Sequence, residues 1–385
     1  MKTETIVYLH PHFTIPGGAG KFALETAVRL QQRGHRIVIV CGKVNNDYRR
    51  QYPTLDFISI SAPLTSSFLF WLLYPKWQKR INAVLNRFNK IILFPQVFPA
   101  NWWAFVYRRS HPTIPCVWFC QEPSAFIHAD NWINAISNPL KRLIARLFRG
   151  LFRTIDFNLS HQADRILANS KFSSNSIEDI YARSVDRVIY PGIDDIKFKP
   201  VPEQEKQDYL FTVSRLTKFK NIDQIIRAFQ KIAEHSNMIL KIAGEGEELL
   251  NLQKLSRQLN LNHRVEFLHL VSDDALVGLY AKAKIVVFAS NNEPFGIVPI
   301  EAMACGTPVV ASRTGGPKET MRENFTGVLF EPNNIQDMVI KIKFLLAEHR
   351  YIKFGRNAAV YARKSFSWEN AVEALENVFY PYINE

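Results

Sequence analysis

Cysteine is scarce in this 385-residue chain: Cys41, Cys116, Cys120 and Cys305 are too few and too scattered for a disulfide framework. No pair has the Cys-x-x-Cys spacing of a zinc site, so they read as buried thiols in a reducing compartment. Long apolar runs are missing as well. Phe57 to Pro75 is uncharged but broken by Ser, Thr and Pro, and Ile91 to Tyr107 contains two prolines, so neither is a membrane span. Met1-Lys2-Thr3-Glu4 leads straight into Ile6 to Leu9, too short for a signal-peptide core and without a small-residue cleavage site behind it. A cytoplasmic protein is expected. Repeats and low-complexity segments are absent, and 47% apolar with 22% charged residues is close to the globular average. The length suggests two domains.

Acidic residues are what the first half lacks. Residues 1–190 hold 24 Lys plus Arg against 11 Asp plus Glu, which accounts for the whole net charge of +13. No acid lies between Asp56 and Glu122, or between Asp130 and Asp156. In the second gap Arg142, Arg146, Arg149 and Arg153 recur at helical spacing while leucines and phenylalanines fill the other faces. Such a helix suits an anionic bilayer surface. The alternative is a helix packed on its own domain with its arginines in water.

What is present is alternation. Ile6 to Leu9 reads as a strand, Phe22 to Gln32 as a helix and Ile37 to Val40 as a second strand. The second half repeats this: strands at 209–213, 238–243, 265–268, 285–288 and 308–311 alternate with helices at 222–233, 247–259, 273–281 and 297–304. A final helical pattern runs from Trp368 to Tyr380. Strands separated by helices form parallel sheets covered on both faces. The expected fold is α/β, with two doubly wound domains facing across a cleft: residues 1–195 with 368–385, and residues 196–367.

The most specific motif is Glu293-Pro294-Phe295-Gly296-Ile297-Val298-Pro299-Ile300-Glu301, at the carboxyl end of a strand. Gly296 lets the chain turn into a helix whose free N–H groups suit a diphosphate, and Glu301 lies about one turn in, within reach of ribose hydroxyls. The plain alternative is a capped surface helix with solvated carboxylates. Ser214-Arg215-Leu216-Thr217-Lys218-Phe219-Lys220 also follows a strand, placing Arg215 and Lys220 to neutralise phosphate without a metal ion. No Asp-x-Asp pair stands at a strand end to hold one. Gly244 with Gly246, and Gly315 with Gly316, mark tight turns on the same edge. In the first half the loop Pro16-Gly17-Gly18-Ala19-Gly20 opens a helix and can approach a bound diphosphate from the other side of the expected cleft. It fits a dinucleotide-binding pattern poorly, because its glycines come too late after the strand and no acid follows the second strand.

These residues resemble the retaining glycosyltransferases of the GT-B fold, specifically glycosyltransferase family 4. The likeness extends to Ala163-Asp164, Ala168-Asn169-Ser170 and Tyr190-Pro191-Gly192-Ile193-Asp194. It implies two Rossmann-like domains, with Arg215 and Lys220 on the donor diphosphate, Glu301 on the ribose, Glu293 on the transferred sugar and backbone at Phe295 to Val298 completing the site. The last helix would cross back onto the first domain. Many members carry His before Pro where this chain has Gln121-Glu122-Pro123. Gln121 cannot act as a base near neutral pH, so it is assigned to a sugar hydroxyl or a main-chain group, with Glu122 and His128 as further acceptor-side candidates; His128 and His10 are the substitutes for the missing base, against the plainer reading of structural histidines. The Gln-Glu-Pro form is similar to that of mannosyltransferase-like members, which makes GDP-mannose the first expected donor. No cofactor or metal is expected. The expected partners are a nucleotide sugar, a glycan or lipid-linked acceptor and an anionic membrane surface, in envelope or polysaccharide biosynthesis. A sugar-nucleotide epimerase of the same architecture is the alternative. A nucleic-acid-binding protein is weaker, because no binding motif accompanies the basic charge.

Overall fold

The computed structural model describes residues 4–14, 17–64, 68–129, 133 and 138–383. Residues 1–3, Pro16, residues 65–67 and Asp130 of the features above lie outside them. The chain divides into two units, Met1–Pro191 with Trp368–Glu385, and Gly192–Ser367.

In the first unit β1 (Thr5–Phe13), α1 (Gly18–Gln32), β2 (Arg36–Val44), α2 (Asn46–Gln51) and β3 (Asp56–Ser59) are followed by α3 (Phe68–Leu72), α4 (Tyr74–Leu85), β4 (Ile91–Pro95) and α5 (Ala100–Ser110). Then come β5 (Val117–Cys120), α6 (Ala125–His128), α7 (Pro139–Ser160), β6 (Arg165–Ala168), α8 (Lys171–Tyr181) and β7 (Arg187–Val188). The strands run parallel in the orders β3-β2-β1-β4 and β5-β6-β7, and a bridge from Leu93 to Cys116 joins the two groups. Nearly every residue of β1 is buried because helices cover both faces, which is why the strand reads as a continuous apolar run rather than an alternation. All four cysteines are free and buried, as their apolar surroundings in the sequence suggest.

The last helix, α16 (Trp368–Ile383), belongs to this unit. Trp368, Val372, Leu375 and Phe379 join the core that holds Phe22 of α1 and Phe94 of β4. At its rim Arg33 contacts Glu369 and Glu376 at 2.6 Å each, and His35 contacts Glu376 at 2.8 Å. Burial pushes the Glu376 carboxyl up, but hydrogen bonds from His35 and Arg33 outweigh it and hold the group below its ordinary value. A depressed carboxylate stabilises the fold above its unfolded pKa and loses that contribution as pH falls through the folded value. Glu376→Gln is therefore expected to lower the unfolding midpoint at pH 7 by about 2–4 °C, with the deficit shrinking toward pH 3. Scanning calorimetry at both pH values checks this; an equal deficit at both refutes it.

The second unit contains β8 (Tyr209–Val213), α9 (Ile222–Ala233), β9 (Ile239–Ala243), α10 (Leu249–Gln258), β10 (Val265–His269), α11 (Asp273–Lys282) and β11 (Ile285–Phe288). It continues through α12 (Ile297–Ala304), β12 (Val309–Ser312), α13 (Pro317–Thr320), β13 (Gly327–Phe330), α14 (Ile335–Leu346) and α15 (Arg350–Ser365). Its six parallel strands lie in the order β10-β9-β8-β11-β12-β13. Ile222, Ile225, Ile226, Phe229 and Ile232 of α9 share one buried stripe, the 3.6-residue period expected of a helix laid on a sheet. Among the described residues no helix is long and apolar enough to cross a membrane.

Candidate active site

The strand order of the second unit reverses direction between β8 and β11, neighbours at the centre of the sheet and the first and fourth of its strands in chain order. Ligands of open α/β sheets bind in the crevice beyond the carboxyl ends of the strands at such a point. Both loops with the sharpest sequence motifs emerge there. After β8, Asn221 adopts a left-handed φ of 51° and its Nδ2 donates to the Ala289 carbonyl at 2.9 Å, pinning the basic loop to the end of β11. Lys220 is thereby brought to Glu293, Nζ to Oε2 at 2.5 Å, and the Ser290 hydroxyl donates to the same oxygen at 3.0 Å. About a quarter of each partner's side chain is exposed, so the pair is reachable from solvent. Arg215 lies on the same loop and is exposed.

Paired glycines set the neighbouring turns. A Cβ on Gly244, whose φ is 126°, would stand 1.9 Å from the Ser214 carbonyl, and one on Gly315 or Gly316 would strike the backbone of Glu293 or Phe295 at 2.4 or 2.1 Å. Gly244, expected against the donor, is thus required first by the backbone of the Arg215 loop.

Gly296, at φ 84°, is the N-cap of α12. No side chain caps that helix and no acid lies in its first turn, so its positive end is unscreened. The N–H groups at Ile297 and Val298 face outward from the first turn without an intrahelical acceptor, while Pro299 has none to offer. Phe295 is buried beneath them. Glu301 is placed deeper than the motif suggests, at 5% exposure, and its Oε2 accepts from the Tyr280 hydroxyl at 3.1 Å. Burial, then the Glu301 charge, push the Tyr280 hydroxyl well above its ordinary value and keep it a donor. Nothing in the sequence pattern singles out Tyr280. Ser290 was legible only as a polar residue ending a strand.

In the first unit, Gly17 and Gly18 open α1. Gly17 is extended, and a Cβ on either would meet nothing within 4 Å, so neither backbone strain nor packing explains the glycines. Gln121 is buried and Glu122 exposed. His128 Nε2 donates to Asp156 Oδ2 at 2.8 Å. That carboxylate, 1% exposed, also takes the Tyr181 hydroxyl at 2.7 Å and the Trp102 indole N–H at 2.5 Å. His128 is therefore part of a buried network centred on a carboxylate.

The basic helix departs from expectation. Arg149 donates to the carbonyls of Ile127 and His128 at 3.0 and 2.7 Å, and Arg153 to the same two at 3.3 and 3.1 Å, closing the end of α6. The opposite face of α7 turns outward and exposes Leu140, Leu143, Ile144, Leu147, Phe148 and Leu151. The stripe presented to solvent is apolar. Arg146 is exposed and Arg142 half-buried on its flank.

Comparison with known proteins agrees with this geometry. The model for group 1 glycosyl transferases matches residues 194–365, and that for Glycosyltransferase Family 4 matches residues 16–196. An uncharacterized glycosyltransferase of Methanocaldococcus jannaschii is 32% identical over 241 residues, 58% of this chain and 62% of that protein. The chain thus spans less than two thirds of that relative. The N-acetyl-alpha-D-glucosaminyl L-malate synthase of Bacillus anthracis is 24% identical over 394 residues, covering 96% of this chain and 95% of that one. The Anabaena protein HepE, solved with UDP and glucose, superposes with a TM-score of 0.80 at 19% identity over 97% of this chain and 99% of that one, a likeness of fold. None of these lends support to GDP-mannose, the donor expected from Gln121 to Pro123. Two family models that together run from residue 16 to 365, on two parallel α/β units with GT-B relatives in structure, place the chain in glycosyltransferase family 4, the group 1 glycosyltransferases.

Proposed function

We propose that this chain is a retaining hexosyltransferase that takes its sugar from a uridine-diphosphate donor and passes it to a hydroxyl of a glycan or lipid-linked acceptor. The observation that carries the reading is the Lys220–Glu293 pair at the switch point, beside the unscreened start of α12. When the bond from the anomeric carbon to the diphosphate oxygen breaks, negative charge grows on the phosphate and positive charge on the ring. Arg215, Lys220 and the N–H groups of Ile297 and Val298 meet the first. Glu293 orients the ring and faces the second, and Glu301 holds the ribose. In the absence of ligand Lys220 and Glu293 neutralise each other; a bound diphosphate draws on Lys220 and leaves Glu293 free for the sugar.

Calorimetric titration with UDP, GDP and ADP tests the reading, with UDP expected to bind most tightly and Lys220→Ala to weaken it. Absence of binding by all three would overturn it. Because protein cations supply the counter-charge, turnover is expected to survive EDTA; activity abolished by chelation and restored by manganese refutes metal independence. An epimerase on the same architecture would release no transferred glycoside, and a nucleic-acid-binding protein would retard DNA or RNA in a gel. We further assign the exposed apolar face of α7, on a unit that carries +9 of the chain's net charge of +13, to an anionic bilayer on the cytoplasmic side.

A further inference from the structure

Arg36, Thr5 and Ile91 form one row across β2, β1 and β4 at the amino-terminal edge of the first unit's sheet, away from the carboxyl ends where ligands of such sheets bind. The Thr5 N–H donates to the Lys90 carbonyl at 2.9 Å and ties the chain ahead of β4 to this row. The turn that leads there from α4 is fixed at two points. Asn86, which ends α4, accepts from the Tyr107 hydroxyl at 2.8 Å, and Phe88 packs against the core of the unit. Row and turn enclose a cavity of about 400 Å³ walled by Thr5, Arg36, Arg87, Phe88, Asn89 and Lys90.

Two of the three cations in this wall have no counter-charge. Lys90 Nζ lies 3.4 Å from the Glu4 carboxylate, but the guanidinium groups of Arg36 and Arg87 have neither an ion pair nor a hydrogen bond among the described residues. Arg87 stands just past the end of α4, where the helix dipole favours a cation, yet it donates to none of the last carbonyls. Arg80 of the same helix, by contrast, donates to the Ile60 carbonyl at 2.7 Å. Exposed arginines ordinarily form a solvated face. Here two of them wall one concave site on a fixed backbone, in a stretch with no acid between Asp56 and Glu122. Like charges gathered around a cavity repel one another and raise the potential inside it, and an anion placed there relieves both.

We propose that this cavity binds a phosphate group, with Arg36 and Arg87 as its two guanidinium forks and the Asn89 amide and Lys90 beside them. One fork occupies both oxygens of a carboxylate, whereas a phosphate has oxygens enough for two, so a pair of unpartnered arginines selects phosphate. The volume falls in the range of about 300–1,000 Å³ common for small-ligand pockets and leaves room for the group that carries the phosphate. That carrier is a soluble phosphate ester or the headgroup of a phospholipid; the recognised chemistry is the same. The site does not rest on the glycosyltransferase reading, and Arg215 and Lys220 take no part in it.

The test is calorimetric titration of the full chain with inorganic phosphate and with glycerol 3-phosphate at low salt, with UDP present throughout to fill the donor site. Binding at millimolar strength or tighter is expected, weakening as salt is added. Arg36→Gln and Arg87→Gln should each weaken it about fivefold or more, and together abolish it, with UDP affinity and unfolding temperature unchanged. Lys79→Gln, which removes an exposed cation of α4 outside the cavity, should change nothing. The carrier is read from co-sedimentation with phosphatidylcholine vesicles containing phosphatidic acid, in a chain carrying Leu147→Glu and Leu151→Glu so that α7 does not mask the result. Vesicle binding that disappears with both arginines assigns the phosphate to a lipid; binding of glycerol 3-phosphate without vesicle binding assigns it to a soluble ester. No binding of any phosphate, or a loss in Lys79→Gln equal to that of the arginine variants, overturns the proposal. Should one arginine variant fail to fold, the other carries the comparison. If UDP does not bind the unaltered chain the donor site fails, and the arginine comparison still decides the cavity.

Discussion

Glu293→Gln is expected to lower turnover about 10- to 1000-fold while moving nucleotide affinity only slightly. The carboxylate accepts from both Lys220 and Ser290, so its position is set before any sugar arrives, and the amide keeps the shape while losing the charge. Arg215→Ala should behave alike in turnover, because it removes a counter-charge needed only as the diphosphate departs. Glu301→Ala should differ in kind. Under the proposal it touches the ribose, which does not react, so the loss falls on KM and on UDP affinity rather than on kcat. It also leaves the buried Tyr280 hydroxyl without that acceptor, at a cost of about 1–3 kcal/mol in stability. Tyr280→Phe with Glu301→Ala restores balance in the core and separates stability from donor binding. Steady-state kinetics with calorimetry on UDP decides the matter. Full turnover in Glu293→Gln, or intact UDP binding in Glu301→Ala after thermal stability is matched, would show that the two carboxylates do not divide the work in this way.

Replacing Leu147 and Leu151 together by Glu is expected to abolish co-sedimentation with anionic liposomes, a larger effect than reversing Arg142 and Arg146. Six large apolar side chains stand on the outward face of α7, and burying each contributes about 1.5–3 kcal/mol when complete, against about 1 kcal/mol for a basic residue near an anionic surface. Binding should therefore weaken with salt yet not vanish. Arg149→Glu and Arg153→Glu should act differently again. Their guanidinium groups hold the carbonyls of Ile127 and His128, so these changes should lower the unfolding temperature rather than report on lipid. If the double leucine variant sediments like the unaltered chain, the bilayer is not what covers this face; a concentration-dependent dimer in the ultracentrifuge, lost in the same variant, would assign it to a second copy.

Much of the second unit was legible because local signals agree with one another. Helices 222–233 and 297–304 and strand 285–288 begin and end at the residues expected, since Asn221 and Gly296 take left-handed backbone angles that stop one element and start the next. The strand β1 extends to Phe13, beyond the expected Leu9, because His10, His12 and Phe13 continue the pairing with β2 although the two histidines are polar. Periodicity sees side chains, whereas pairing is made by backbone.

Residue order alone determined the alternation of strand and helix, the family-like motifs around Glu293 and Lys220, and the concentration of positive charge in the first half. Each of these is a property of neighbours along the chain. Tertiary structure decided the rest: that Lys220 meets Glu293, that Tyr280 holds Glu301, that Gly244 serves the backbone of Ser214, and that Arg36 and Arg87 wall one cavity. It also decided which face of α7 looks outward. A helical stripe of leucines and a stripe of arginines are equally visible in sequence, but only the carbonyls at the end of α6 fix which one turns inward, because guanidinium groups go where unpaired acceptors are waiting.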